Sequence, residues 1–199
     1  MAEFKNVEIN IWEKLEIIPW LKIIEPKVFW DDRWFFYESY SKKDFFENWI
    51  TCEFIQDNHS KSQKWVLRWL HFQFINAQDK LVRITKWAVY DIAVDLRKNS
   101  STFWKYFWIF LSEENKKQFF IPKWFAHWFL SLEDDTEFLY KCSDIYNPKG
   151  EWWYNFDEEK FWIDWEKIFK EYWLKKDQIL LSEKDKKYNK FDEKIFYFD

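Results

Sequence analysis

Three segments set ionisable groups inside otherwise apolar stretches: Val66-Leu67-Arg68-Trp69-Leu70-His71-Phe72-Gln73, Ile121-Pro122-Lys123-Trp124-Phe125-Ala126-His127-Trp128-Phe129 and Glu137-Phe138-Leu139-Tyr140-Lys141-Cys142-Ser143-Asp144. Imidazole and phenol are side chains that can take up and return protons, so His71, His127 and Tyr140 are the first residues to consider for acid–base work. Taken singly, a strand histidine such as His71 reads as a hydrogen-bonded core residue, and Tyr140 as a core aromatic. His59, His71 and His127 also offer a three-nitrogen metal site. Metal-binding jelly rolls typically draw two ligands from one His-x-His strand, and here the residue two after His71 is Gln73. No metal is therefore expected.

Strands must position these groups. In Leu81 to Thr85 and Ala88 to Leu96, the apolar residues Val82, Ile84, Ala88, Tyr90, Ile92, Val94 and Leu96 alternate with Arg83, Thr85, Asp91 and Asp95 on the opposite face. That is the period of a strand, broken at Lys86-Trp87, where a two-residue hairpin would want glycine. Strand signals dominate from about residue 20 to residue 155, with further runs at Phe54-Ile55, Val66 to Phe74, Phe103 to Leu111, Phe119 to Ile121 and Phe125 to Leu132. Asp57-Asn58-His59-Ser60 and Asn99-Ser100-Ser101 look like turns between them. Many short, evenly spaced strands predict a mainly β sandwich, barrel or jelly roll. Helical signal is confined to Ser41 to Asn48 and to a segment N-capped by Asp164, running to Tyr172, and Ser182 to Lys187 reads as a surface loop.

Composition narrows the function classes. The chain has 199 residues, enough for one domain with a real core, and its 31 Lys+Arg and 35 Asp+Glu are scattered rather than clustered. Aromatics make up 25% of residues, but no basic stripe accompanies them as a nucleic-acid stacking platform would need. The start of the chain lacks the cationic and apolar parts of a signal peptide, and no apolar run reaches the roughly 18 residues of a membrane span. A soluble, cytoplasmic protein with no nucleic-acid or membrane partner is expected. Cys52 and Cys142, far apart and without a Cys-x-x-Cys pattern, read as two buried thiols.

Restoring glycine at positions 69, 124 and 128 turns two of the opening segments into Leu-Arg-Gly-Leu-His-Phe-Gln and Ile-Pro-Lys-Gly-Phe-Ala-His-Gly-Phe, which closely resemble signature segments of the dTDP-4-dehydrorhamnose 3,5-epimerase family. Ile24 to Phe36, Gln56 to Ser62 and Leu181 to Asp185 resemble further family segments in the same order, so the likeness covers nearly the whole chain. The resemblance implies a cupin-type jelly roll over residues 1–199, with a short helical or loop extension from about residue 156, working as a homodimer. It implies cofactor-free epimerisation at C3 and C5 of dTDP-4-dehydro-6-deoxyglucose, in dTDP-rhamnose biosynthesis. The rivals are a single-carbon epimerase on another nucleotide 4-keto sugar, a metal-dependent cupin enzyme and a non-catalytic sugar-binding jelly roll.

By that resemblance His71 is the base, Asp185 its hydrogen-bonded carboxylate and Tyr140 the acid, while Lys80 stabilises the enolate. Substrate binding falls to Arg33, Glu38, Gln56, Asn58, Arg68, His127, Glu151 and Lys184, with Arg33 and Arg68 suited to the diphosphate through paired guanidinium donors.

The glycines themselves are missing. Average usage of roughly 7% would give about 14 in a chain of this length, yet there is 1 Gly against 17 Trp. The family has glycine at the positions of Trp30, Trp34, Trp69, Trp87, Trp104, Trp124, Trp128 and Trp152, whereas Trp165 resembles a tryptophan the family carries. Such a pattern is that of UGA codons that mean glycine in the source and tryptophan in this translation. Taken literally, the chain is expected to fold poorly, because bulky residues replace the one residue free to adopt positive φ.

Overall fold

A computed structural model of the chain describes residues 1–11, 14–154 and 163–183. Two antiparallel sheets face each other across the molecule. One runs β1 (Glu3–Ile11), β2 (Lys14–Glu25), β10 (Gln118–Ile121), β7 (Lys80–Lys86), β12 (Thr136–Cys142), β5 (Gln56–Ser62). The other runs β13 (Glu151–Tyr154), β6 (Leu67–Gln73), β11 (Phe125–Ser131), β8 (Ala88–Asp95), β9 (Tyr106–Ser112). A separate hairpin pairs β3 (Phe29–Asp31) with β4 (Trp34–Phe36). Because β5 and β6, β7 and β8, and β10 and β11 each divide between the two sheets, the chain repeatedly crosses from layer to layer. This is the jelly-roll architecture expected from the sequence.

The sheets enclose an apolar layer in which Val82, Ile84, Phe119 and Phe138 meet Val89, Ala93, Phe125 and Phe129. Outside the second sheet, Tyr90, Ile92, Val94 and Leu96 pack with Ile168 of α2 (Trp165–Glu171). Outside the first, Leu81 and Phe120 are covered by Phe45 of α1 (Lys42–Glu47). Both helices carry the caps their sequences announce, with Ser41 accepting from the Asp44 amide and Asp164 from the Lys167 amide.

Both faces of β8 are covered: Asp91 and Asp95 are both 0% exposed, because helix α2 covers the apolar face and leaves the other to line the interior. Four expectations are corrected here. Asp57 to Ser60 is the middle of β5, not a turn, its polar composition reflecting one face in solvent and one toward a cavity. Residues Lys86-Trp87 do not tip a hairpin, since β7 and β8 belong to different sheets and Trp87 alone forms the corner between them. Cys52 is only partly buried, whereas Cys142 is buried. The long β1–β2 pairing also begins well before residue 20, ahead of the region where strand signals dominate.

Candidate active site

The interior faces of β5, β6, β7 and β12 converge at one end of the sandwich. Alternation along β5 turns Gln56 and Asn58 inward and His59 outward, where it pairs with Glu137. Lys80 opens β7 and continues the inward row of Val82 and Ile84; Tyr140 and Cys142 continue the inward row of Phe138 on β12. Across the gap β6 supplies His71 and Gln73. Together with Phe72, Gln78, Tyr146 and Glu151 these residues line a cavity of about 420 Å³.

Inside it, Lys80 Nζ lies 3.2 Å from His71 Nε2. The contact sets the imidazole against the lysine amine, with the donor and acceptor roles fixed by the histidine tautomer. Lys80 is 7% exposed, and burial holds its pKa below the usual lysine value, opposed by Cys142, Asp91 and Glu151. Burial raises the Tyr140 phenol, with Cys142 adding to the effect and Arg68 opposing it, so this hydroxyl keeps its proton above the ordinary tyrosine range. The cavity thus sets an imidazole and a lysine amine opposite a phenol that burial keeps protonated.

Behind His71 stands His127, its cross-strand partner between β6 and β11, with ring centroids 5.9 Å apart. His127 Nε2 is 2.8 and 3.0 Å from the two carboxylate oxygens of Asp91. Burial, reinforced by Lys80, pushes the His127 pKa well below that of free histidine.

One wall of the mouth is a loop fixed by side-chain amides. Gln73 donates to the carbonyl of Ile145 at 2.9 Å and accepts from the Asn147 amide at 2.8 Å, while Gln78 donates to the Asp144 carbonyl at 2.8 Å. The loop carries Tyr146, whose hydroxyl donates to Glu151 Oε2 at 2.9 Å and whose amide donates to Gln56 Oε1 at 3.1 Å. Gly150 closes it against Ile75, where a Cβ would meet the Ile75 Cβ at 2.5 Å.

Of the residues anticipated from sequence, Gln56, Asn58, His71, Lys80, Tyr140 and Glu151 come together in the cavity. Arg68, exposed on β6, stands near enough to influence Tyr140 without lining the cavity. His127 lies behind the wall rather than in it. Arg33 and Glu38 are exposed; Arg33 sits in the β3–β4 connection, bound to Asp31 and away from the cavity lining. Lys184 and Asp185 lie outside the described residues. Sequence reasoning missed Gln73 and Gln78 as loop anchors and Asp91 as the partner of His127. Asp91 carried a signal in its alternation opposite a strongly apolar face, but nothing in the sequence said that both faces of that strand are covered.

The family model for dTDP-4-dehydrorhamnose 3,5-epimerase matches residues 16–193. A dTDP-4-dehydrorhamnose 3,5-epimerase from Methanothermobacter thermautotrophicus is 38% identical over 99% of this chain and 100% of its own. The corresponding enzyme of Escherichia coli is 46% identical over 87% of this chain and 90% of its own. Among solved structures, a dTDP-6-deoxy-D-glucose-3,5-epimerase from Legionella pneumophila in complex with dTDP-4-keto-L-rhamnose superposes with a TM-score of 0.82, at 41% identity, covering 98% of each chain.

Proposed function

This chain belongs to the dTDP-4-dehydrorhamnose 3,5-epimerase family, and from that premise we propose that its cavity epimerises dTDP-4-dehydro-6-deoxyglucose at C3 and C5 to give dTDP-4-dehydrorhamnose, in dTDP-rhamnose biosynthesis. The observation that carries the reading is the contact of Lys80 Nζ with His71 Nε2 inside a cavity that also holds the protonated Tyr140. His71 takes the proton from a carbon beside the ketone. The electron pair left behind moves into an enolate whose oxygen is stabilised by the Lys80 ammonium, and Tyr140 returns a proton to the opposite face of the carbon. One proton leaves and one arrives, so no redox group is required.

Asp185 is assigned to orient the His71 imidazole. Glu38, Gln56, Asn58, Glu151 and Lys184 contact the nucleotide sugar, and Arg68 and Arg33 its diphosphate. His127 supports the sugar-facing wall from behind.

Arg33 and Glu38 reach a cavity most simply in a homodimer. Leaving aside Trp30 and Trp34, which stand at family glycine positions, the β3–β4 hairpin exposes Phe29, Phe35 and Phe36, between 47% and 56% each, and the Arg33 side chain is 81% exposed. An aromatic patch of this kind beside an exposed guanidinium, paired only with its neighbour Asp31 among the described residues, suits docking onto a second copy. A cytoplasmic location fits the two free cysteines. Among the described residues, no helix is long and apolar enough to cross a membrane.

The test is conversion of the keto sugar by chelator-treated protein with no nicotinamide added. Full turnover is expected, and loss of turnover restored by one divalent metal would favour the metal-dependent cupin instead.

A further inference from the structure

Among the described residues ten non-glycine positions have positive φ, and seven of them are tryptophan: Trp20, Trp49, Trp65, Trp87, Trp104, Trp124 and Trp173, at 52° to 72°. The remaining three are Asn76, Lys116 and Asp135. Asn and Asp tolerate this region through local hydrogen bonds, and glycine enters it freely for want of a Cβ. An indole has neither advantage.

The two helix ends show what the backbone asks for. After α1, the Trp49 amide donates to the Phe46 carbonyl and the Ile50 amide to the Phe45 carbonyl, while Ile50 and Phe45 pack in one cluster. After α2, the Trp173 amide donates to Lys170 and the Leu174 amide to Phe169, and Leu174 and Phe169 again share a cluster. Each is a Schellman motif with its hydrophobic contact, and each puts tryptophan at the left-handed position where glycine is the usual residue. Burial does not explain the indoles, since Trp49 is 72% and Trp173 92% exposed. Trp87 makes the one-residue corner between sheets, and Trp20 falls where the β1–β2 register shifts.

We infer that the functional polypeptide carries glycine at positions 20, 49, 65, 87, 104, 124 and 173, the tryptophans being glycine codons read with the wrong meaning. Sequence resemblance reached 87, 104 and 124; backbone geometry reaches the same three independently and adds 20, 49, 65 and 173. Trp128, a fourth position taken from resemblance, is 0% exposed with an indole N–H that has no hydrogen-bond partner, a different cost to the same fold.

Peptide mass spectrometry of the protein purified from its own source decides the matter: glycine is expected at 49 and 173, and tryptophan at either would overturn the inference for that position. In parallel, Trp49→Gly and Trp173→Gly made in the chain as written should each raise the thermal midpoint, on the order of 2–4 °C. Unchanged or lowered midpoints would contradict the backbone argument even if the peptides were never recovered.

Discussion

At the scale of single residues, the acid and the base make different predictions. His71→Ala should abolish both solvent exchange and inversion, by about 10²–10⁴-fold. Tyr140→Phe leaves His71 and Lys80 in place, so a proton can still be removed and returned on its original face while inversion is suppressed; equal inversion in variant and parent would reduce Tyr140 to packing. The alkaline limit is assigned to Lys80, whose buried ammonium loses its proton below the ordinary lysine value, while the Tyr140 phenol is shifted upward. Activity should therefore fall on the alkaline side with one proton lost from Lys80, and Lys80→Arg should move that limb upward, since guanidinium stays protonated. A limb unmoved by Lys80→Arg would assign it to another group. These roles were legible in sequence only through motif resemblance, because a lone strand histidine and a lone tyrosine carry no signal of their own. Lys80 follows His71 by nine residues on the next strand, whereas Tyr140 enters the same cavity from β12, much further along the chain.

At the scale of elements, polarity misleads where both faces of a strand are covered. Alternation on β8 was legible, but it could not say that both faces are covered, the apolar one by α2 and the one that carries Asp91 by the facing sheet. β5 was hidden for a related reason: Gln56-Asp57-Asn58-His59-Ser60 has polar residues on both faces, one for solvent and one for the cavity. Local signals did better. Ser41 and Asp164 marked both helix starts, since a cap is read from neighbouring residues alone. Helix α2 seals the outer cluster through Ile168, and Glu171 accepts from the Tyr90 hydroxyl at 2.7 Å. Removing its cap with Asp164→Ala should cost about 1 kcal/mol in urea unfolding; no change in stability would mean that α2 is held by packing without help from its cap.

At the scale of the whole molecule, a hairpin presents Arg33 away from the cavity while family membership requires a complete nucleotide-sugar site. If the hairpin serves a second copy, mixing inactive Arg33→Ala protein with inactive His71→Ala protein should restore activity, because one mixed site then holds both residues intact; mixtures as inactive as their components would keep Arg33 within its own subunit. The left-handed tryptophans bear on the same scale, since seven strained positions at about 1–3 kcal/mol each rival the roughly 5–15 kcal/mol that holds a domain folded. Central to everything is proton exchange at carbons beside a ketone by His71 and Tyr140 without a cofactor. Incubating the protein with dTDP-4-dehydro-6-deoxyglucose in deuterated water with chelator, and reading label and configuration at each carbon by NMR, tests that claim most directly. Deuterium at both C3 and C5 with inversion at both is the predicted result; label and inversion at one carbon alone, or none at either, would contradict it.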